Sequence, residues 1–300
     1  MTETNNTMIT AGAAKRKPSW LRVKALWGPD HNQLNRLLKR HRVDTVCRAA
    51  NCPNRGECFG RGTATFLILG PVCTRACRFC DIKPGIPLPP DPDEPRRVAA
   101  AAGELKLTHI VVTSVTRDDL ADGGAARFAQ VTGLLRQTLP AATVELLTPD
   151  FAGSTRSFRL LLDCTPDVFN HNVETVPRLY SQVRPQADYR RSLDLLGWMQ
   201  ENSTAITKSG IMVGLGESLT ELKVVFADLA ARGVAILTIG QYLAPSRQHL
   251  PVHRYLPPEE FDMLADEARQ AGIPTVISAP LVRSSYRAER ALAGRLGRHC

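Results

Sequence analysis

The stretch TFLILGPVCTRACRFC, residues 65–80, decides the fold of this 300-residue chain. It begins with a short apolar run at 65–69, whose β-branched and aromatic residues favour a buried strand. Three cysteines follow with the spacing C-x3-C-x2-C, at Cys73, Cys77 and Cys80. In β/α barrels the functional residues lie at the carboxyl ends of the strands, so this loop is where a cofactor is expected.

Apolar runs with strand character recur along the rest of the chain, with helix-type patterns between them. Repeated units of this kind indicate a parallel sheet. No GxGxxG follows the first strand, which argues against a dinucleotide-binding doubly wound sheet. We therefore predict an α/β fold, a partial (β/α)6 barrel of the TIM type. The predicted strands are residues 65–69, 110–114, 143–147, 168–172, 206–213, 236–240 and 275–278.

Helices are predicted between these strands from their apolar periodicity. The clearest begins at Ser218, because Glu221 three residues later completes a capping box. Gly233 is a typical end signal for it. The predicted helices are residues 30–40, 95–106, 124–139, 156–162, 175–180, 189–201, 218–232 and 258–271.

The composition is that of an ordinary folded protein, with 43% hydrophobic and 22% charged residues. No apolar run approaches the roughly 18 residues that a membrane helix needs. The first 20 residues lack the apolar segment of a secretory signal. We therefore expect a cytoplasmic location, where structural disulfides are rare. The formal net charge of +9 favours an anionic partner, such as nucleic acid, phosphate or an acidic protein.

Six of the eight cysteines form two groups of three. The first trio is Cys47, Cys52 and Cys58, and the second trio is the one within residues 65–80. A disulfide framework would need an oxidising compartment. Structural zinc would need a fourth ligand, and neither trio has one nearby in sequence. A [4Fe–4S] cluster held by three thiolates keeps one iron for another ligand, so we favour two such clusters.

The spacing of the second trio, with Phe79 before its last cysteine, resembles the radical S-adenosylmethionine (SAM) superfamily. Within it, the additional trio upstream and the sequence RSSY at 283–286 are similar to the lipoyl synthase family. The likeness extends over nearly the whole chain. It includes GTATF at 62–66, TSVTRDDL at 113–120, FNHNVET at 169–175, TKSGIMVGLGE at 207–217 and GQYL at 240–243.

The resemblance implies that the second trio holds a cluster whose free iron chelates SAM. One electron from the cluster then cleaves SAM to methionine and a 5′-deoxyadenosyl radical. The radical removes hydrogen from C6 and C8 of a protein-bound octanoyl chain, where sulfur is inserted. No side-chain general base is needed, because the abstraction is homolytic. The cofactors carry the chemistry, and the protein supplies binding, orientation and exclusion of water.

The first trio, by the same resemblance, holds an auxiliary [4Fe–4S] cluster that is dismantled to donate the sulfur. The family holds the fourth iron of this cluster with a serine, and the matching residue is Ser285, with Ser284 as the neighbouring alternative. An oxygen ligand is harder than a thiolate, which makes that iron easier to release.

The resemblance also implies a set of SAM-contacting residues. Phe79 would lie beside the open iron, and the segment around Met212 resembles the GxIxGxxE motif that pairs with adenine. The expected contacts are Phe79 beside the iron, Asn172 and Glu174 near ribose or the methionine ammonium, Arg190 on the methionine carboxylate, and Gly210, Gly214 and Glu217 in the GxIxGxxE segment. A surface ion pair is the alternative for Glu174 and Arg190.

Several other residues receive structural interpretations. Arg75 and Arg78 would offset the negative charge of a thiolate-bound cluster, or they are surface residues. Histidines near strand ends, such as His171, are expected to be hydrogen-bonded structure. Cys164 is expected to be a buried apolar residue, and Cys300 has no assigned role. The acidic residues Asp118, Asp119 and Asp122 are expected to form or cap loops rather than bind a metal.

Three regions are predicted: an N-terminal extension at 1–58 with the first trio, a barrel at 59–277, and a C-terminal extension at 278–300 with Ser285. The family resemblance implies octanoylated lipoyl domains of 2-oxoacid dehydrogenases and the glycine cleavage H protein as partners, besides an electron donor. Neither nucleic acid nor membrane is expected as a partner.

Two alternatives stay open on the sequence alone. A radical SAM sulfur-inserting enzyme resembling biotin synthase would lack the first trio and Ser285. A basic, zinc-binding nucleic-acid module would be colourless, and its affinity would fall steeply with salt.

Overall fold

The computed structural model describes residues 17–22, 29–50, 52, 54, 57, 58 and 65–285. One eight-stranded sheet organises this part of the chain. Its members are β1 (Asp44–Thr45), β2 (Thr65–Ile68), β5 (His109–Ser114), β6 (Thr143–Leu147), β7 (Val168–Asn170), β8 (Ile206–Val213), β9 (Ile236–Gln241) and β10 (Thr275–Ser278). Neighbouring strands from β2 to β10 are parallel, and only β1 pairs antiparallel, with β2.

The sheet follows chain order and is open between β1 and β10 over the described residues. This is the arrangement of a partial β/α barrel, and it confirms the predicted fold. All seven predicted strands are present. The short strands β1, β3 (Val72–Cys73) and β4 (Lys83–Pro84) were not predicted, because two-residue strands exist only through their partners.

Helices join successive strands and cover the outside of the sheet. Nine α-helices lie in the described ranges: α1 (Pro29–Arg40), α2 (Val46–Ala49), α3 (Glu94–Glu104), α4 (Ala125–Thr138), α5 (Thr155–Leu162), α6 (Tyr180–Val183), α7 (Tyr189–Asn202), α8 (Leu219–Ala231) and α9 (Pro258–Gln270). The helix predicted at 175–180 is instead a 3-10 turn at Pro177–Leu179 that continues into α6.

The main core lies between the sheet and these helices. Strand residues such as Ile110, Leu146 and Phe169 are fully buried there, as are Phe128 on α4 and Leu196 on α7. Burial of such side chains is worth roughly 1.5–3 kcal/mol each, which makes this layer the main stabilising element of the fold.

Buried charges lie among the strands as well. The ammonium of Lys208 on β8 is 2.9 and 3.0 Å from the carboxylate oxygens of Glu145 on β6, and Asn170 donates to the same carboxylate at 2.8 Å. Burial alone would raise the pKa of Glu145, but the charges of Lys208 and His109 outweigh it and lower the pKa to about 2. This ion pair joins strands that are not adjacent in sequence.

None of the helices in the described ranges combines the length and the apolarity that a bilayer crossing requires.

Candidate active site

One cavity of about 440 Å³ lies at the carboxyl ends of the parallel strands. Its walls come from the loops that follow the strands, including Thr116 after β5, Pro149 after β6 and Asn172 after β7. Both cysteine trios line this same cavity. The lining also includes Phe79, Glu174, Gly210, Arg184, Ser284 and Ser285.

The second trio lies in a loop that is held by backbone hydrogen bonds. Cys73 belongs to β3, which pairs with β4, and Gly85 N–H donates to its carbonyl at 2.9 Å. The sulfur of Cys73 accepts from two backbone N–H groups, those of Arg75 at 3.4 Å and Thr116 at 3.3 Å. These two donors fix the position of the Cys73 sulfur in the loop.

Burial keeps the other thiols of the second trio protonated in the absence of a metal. It raises the pKa of Cys77 to about 11 and that of Cys80 to about 12. Such thiols are poor free nucleophiles, and a bound metal is what removes their protons. This environment suits metal ligands better than catalytic thiols.

The first trio packs against the barrel through β1 and α2. Cys47 lies in α2, and burial raises its pKa to about 11. Cys52 N–H donates to the Cys47 carbonyl at 3.2 Å, and the side chain of Asn54 donates to the Leu281 carbonyl at 2.7 Å. The segment that carries the first trio is therefore tied directly to the segment that carries Ser285.

None of the described cysteines takes part in a disulfide. No three His, Cys, Asp or Glu side chains in the described ranges lie close enough to hold one metal ion between them.

The C-terminal segment crosses the cavity after β10. Its entry is fixed by hydrogen bonds from Ala279 N–H to the Ile239 carbonyl and from Gln241 N–H to the Pro280 carbonyl, both 3.2 Å long. Gly240 makes the close approach possible, because a side chain there would overlap the carbonyl oxygen of Val282. Tertiary contacts, rather than local sequence, bring Ser285 to the cavity.

The two serines of this segment have different surroundings. Asn172 donates to the hydroxyl of Ser284 at 2.6 Å. Ser285 lines the cavity, and its hydroxyl has no hydrogen bond to another described residue. Of the two, Ser285 is the serine that this geometry leaves available as a ligand.

Asn172 and Glu174 follow β7 and line the same cavity. The amide of Asn172 donates to Glu174 at 3.0 Å, whereas its carbonyl oxygen is buried without a partner in the described structure. Glu174 has φ +67°, a conformation that is strained for a residue with a side chain. Burial raises the pKa of its carboxyl group. A strained acid and an unpaired buried oxygen are typical of a ligand site.

Gly210 provides room beside Asn172. A Cβ atom at this position would lie 2.7 Å from the side-chain oxygens of both Asn172 and Thr238. Met212, two residues further along β8, also lines the cavity. The absence of a side chain at Gly210 therefore lets Asn172 and Thr238 lie against the backbone of β8.

Gly214 and Glu217 do not line the cavity. Glu217 accepts from the N–H groups of Gly214 at 2.5 Å and Leu215 at 2.9 Å. Gly214 has φ +99°, and a side chain there would overlap Gln241 and the Arg254 carbonyl. These two residues shape the turn after β8.

Arg190 is exposed on α7 and lies outside the cavity lining. The arginine that lines the cavity is Arg184, which donates to the Asn172 carbonyl at 2.9 Å and stacks over the ring of Tyr180. The geometry thus offers Arg184 where the sequence predicted Arg190. The two arginines are only six residues apart, and the sequence does not show which side chain faces the cavity.

The two arginines within the second trio have different surroundings. Arg78 is exposed, as one of the two interpretations expected, and Arg75 is buried between the carboxylates of Asp118 and Asp150. Arg191 also pairs with Asp150, at 3.3 Å. The sequence could not show this, because Asp150 is 75 residues from Arg75.

The remaining structural interpretations are confirmed. Asp119 pairs with Arg117, and Asp122 accepts from the N–H groups of Gly124 and Ala126 at the start of α4. His171 is buried between the Thr148 carbonyl and the Ser192 hydroxyl. Cys164 is buried beneath α5, while Cys300 lies outside the described residues.

Comparison with known proteins gives the family. Residues 67–229 match the radical SAM superfamily. Lipoyl synthase of Methylococcus capsulatus is 54% identical over 287 residues, which cover 95% of this chain and 89% of the relative. Lipoyl synthase of Nitratidesulfovibrio vulgaris is 57% identical over 276 residues, 92% of each chain. The chain belongs to the lipoyl synthase family.

Members of this family are radical SAM enzymes, and the solved structures agree in fold. Streptococcus suis SuiB bound to S-adenosylmethionine superposes with a TM-score of 0.55 at 9% identity, over 75% of this chain and 53% of SuiB. HydG, a maturase of the [FeFe]-hydrogenase, superposes with a TM-score of 0.55 at 16% identity, over 84% of this chain and 57% of HydG. At such identities the likeness concerns the barrel alone.

The residues present suit the cofactors of a radical SAM enzyme, SAM and a [4Fe–4S] cluster. Three half-buried thiols and two N–H donors to sulfur form a donor set for iron. The unpaired oxygen of Asn172 is suited to a polar ligand in the cavity that it lines.

Proposed function

We propose that this lipoyl synthase family member inserts sulfur at C6 and C8 of octanoyl-lysine on carrier proteins, using two [4Fe–4S] clusters. One observation supports this above all: both trios and Ser285 line a single cavity at the carboxyl ends of the strands. A substrate chain in this cavity would be within reach of both sites at once. Proximity of this kind supplies much of the rate of a two-centre reaction.

The second trio would hold the cluster that binds SAM, with Phe79 packed beside it. When bound, this cluster supplies the electron that splits SAM. The protein contributes orientation: the strained Glu174 and the amide of Asn172 would hold the polar end of SAM, and the backbone of β8 around Gly210 would pair with its flat base. Arg184, held by the Asn172 carbonyl, would keep that wall rigid.

The first trio and Ser285 would hold the auxiliary cluster that donates sulfur. Support comes from the availability of the Ser285 hydroxyl and from the hydrogen bond between Asn54 and Leu281, which joins the two ligand-bearing segments. Because an oxygen ligand binds iron differently from a thiolate, this corner is the natural place for the cluster to open.

The partners would be octanoylated lipoyl domains of 2-oxoacid dehydrogenases and the glycine cleavage H protein, with an external electron donor and a cytoplasmic location. A lysine arm could carry the octanoyl chain into the cavity from outside. The formal charge of +9 is compatible with docking an acidic carrier domain.

Anaerobic purification and metal analysis test the cofactor assignment. About eight irons per chain are expected, four for each cluster. Brown colour and little zinc are expected with them. Four irons would leave only one cluster, and a colourless zinc protein would contradict the proposal entirely.

The Cys58→Ala variant tests the division of labour between the trios. It is expected to cleave SAM, measured as methionine and 5′-deoxyadenosine, and to form no lipoyl product on an octanoylated carrier. Cys164→Ala is the matched control, because that cysteine is buried beneath α5 and away from the cavity. Normal lipoylation by Cys58→Ala would refute the sulfur-donor role of the first trio.

A further inference from the structure

We propose that Arg75 is a positioning residue for Cys73, and that the Asp118 carboxylate that holds it makes the cluster of the second trio harder to reduce than a neutral side chain at that position would. The inference rests on the proposed function, in that it assumes a cluster on this trio. It concerns residues Arg75, Asp118 and Asp150, called the Arg75 clamp below.

The Arg75 clamp consists of two bidentate ion pairs on one guanidinium. Asp118 receives hydrogen bonds from Nε and Nη2 of Arg75, both at 2.8 Å. Asp150 receives hydrogen bonds from Nη1 at 3.0 Å and Nη2 at 2.7 Å. The planar guanidinium is thus gripped on two sides, which fixes its orientation as well as its position.

The clamp joins three loops of the barrel. Arg75 lies within the second trio, Asp118 follows β5, and Asp150 follows β6. Arg75 is 6% exposed and Asp150 is fully buried. Breaking such a buried pair by removing one partner is costly, so the loop with the trio is anchored to the barrel before any cofactor binds.

The residues of the Arg75 clamp are connected directly to Cys73, the first cysteine of the second trio. The backbone N–H of Arg75 donates to the sulfur of Cys73, and so does that of Thr116, which lies two residues before Asp118. Thr74 ties the same two segments together, since its hydroxyl accepts from the Asp118 N–H at 3.0 Å. Holding Arg75 and Asp118 in place therefore aims both N–H groups at Cys73.

Asp118 also places a negative charge beside the cluster loop. Arg191 pairs with Asp150 at 3.3 Å, so two guanidinium groups balance two carboxylates, and a neutral residue at position 118 would leave a net charge of +1. Reduction adds an electron to the cluster, so a nearby negative charge opposes it. The midpoint potential is consequently lower than it would be with a neutral side chain at position 118.

The test is the midpoint potential of the second-trio cluster in the Asp118→Asn variant, measured by anaerobic dithionite titration with electron paramagnetic resonance. The one electron taken up comes from dithionite. The amide oxygen of the variant can still accept from Arg75, and the side chain at this position is 38% exposed, so the variant is expected to fold. Its potential should be more positive than that of the wild type.

Asp119→Asn is the matched control. It removes the same charge from the neighbouring residue, which also pairs with an arginine, Arg117, but not with the cluster loop. The inference requires a clearly smaller shift in this control. An unchanged potential in Asp118→Asn, or a shift no larger than in the control, would overturn it. A wild-type protein that binds no iron would overturn the proposed function as well, whereas a normal wild-type cluster confines the failure to this inference.

Positioning is tested separately in the cluster-free chain with Arg75→Lys. Lysine keeps the charge but cannot make two bidentate contacts. Iodoacetamide should label Cys73 faster in this variant than in the wild type, as followed by peptide mass spectrometry. Arg78→Lys, in the same loop but exposed, should label at the wild-type rate. Equal rates in all three proteins would exclude a positioning role.

Discussion

At the scale of single residues, the cavity depends on side chains whose roles are decided by one contact each. Ser284 and Ser285 are chemically identical neighbours, yet Asn172 engages the first and not the second. Arg75 and Arg78 are three residues apart, yet one is buried between carboxylates and the other is exposed. The residue type therefore limits the chemistry that is possible at a site, and the hydrogen bonds and burial of each side chain determine which residue is available for it.

His171 gives a prediction about pH. Burial, together with the charge of Arg184, lowers its pKa to about 4 from an ordinary value of 6.5. Between these values the unfolded chain binds a proton at this position and the folded chain does not, so stability is lost as the pH falls from 6.5 towards 4. The loss from this one group is about 3 kcal/mol.

The measurement is urea unfolding at several pH values between 7 and 4. The His171→Gln variant should lose a large part of the acid dependence in this window. His253→Gln, at an exposed position, should retain the wild-type slope. If the unfolding free energy of His171→Gln depended on pH in the same way as that of the wild type, His171 would not be buried in its neutral form.

At the scale of elements, the turn after β8 and the start of α8 form one hydrogen-bonded unit. Glu217 closes the turn at Gly214, and Ser218 and Glu221 form a reciprocal capping box. Arg178 then pairs with Glu221 and donates to the Gly216 carbonyl at 2.8 Å. Local sequence determines the cap, while Arg178 ties it to the neighbouring loop.

The capping box yields a stability prediction. Ser218→Ala removes the acceptor for the Glu221 N–H and should lower the free energy of unfolding by about 1 kcal/mol. Thermal or urea unfolding measures it. Thr220→Ala, exposed in the same first turn, should change stability by less than about 0.5 kcal/mol. Equal effects of the two variants would mean that the cap contributes nothing specific.

At the scale of the whole molecule, both ends of the chain converge on the cavity that the barrel provides. The first trio reaches it through β1, which pairs with β2 at the sheet edge. The C-terminal segment reaches it by passing over Gly240. The cavity is therefore complete only when the barrel and both extensions are assembled.

Gly240→Ala tests this assembly. The new methyl group would overlap the Val282 carbonyl and push away the segment that carries Ser285, leaving the second trio in place. SAM cleavage should persist while lipoyl product formation is lost. Gly133→Ala is the control, because that glycine of α4 has nothing within 4 Å of the added carbon. Full lipoylation by Gly240→Ala would show that the placement of this segment is not required.

Much of the fold was predictable because its signals are local. Each parallel strand is a short apolar run, and the helices between them show the 3.6-residue period. Several charged contacts were not predictable. Glu145 and Lys208 are 63 residues apart in the sequence, and Arg75 and Asp150 are 75 residues apart. From the sequence alone, each of these four residues would be predicted to be an exposed charge.

The amino-acid sequence by itself determined the barrel, the two cysteine trios and the family, since all three depend on residue types at fixed spacing. Only the tertiary structure decided that both trios share one cavity, that Ser285 rather than Ser284 is available there, and that Arg184 rather than Arg190 faces it. These are contacts between segments distant in sequence. Spacing along the chain carries no information about them until the sheet has brought the strand ends together.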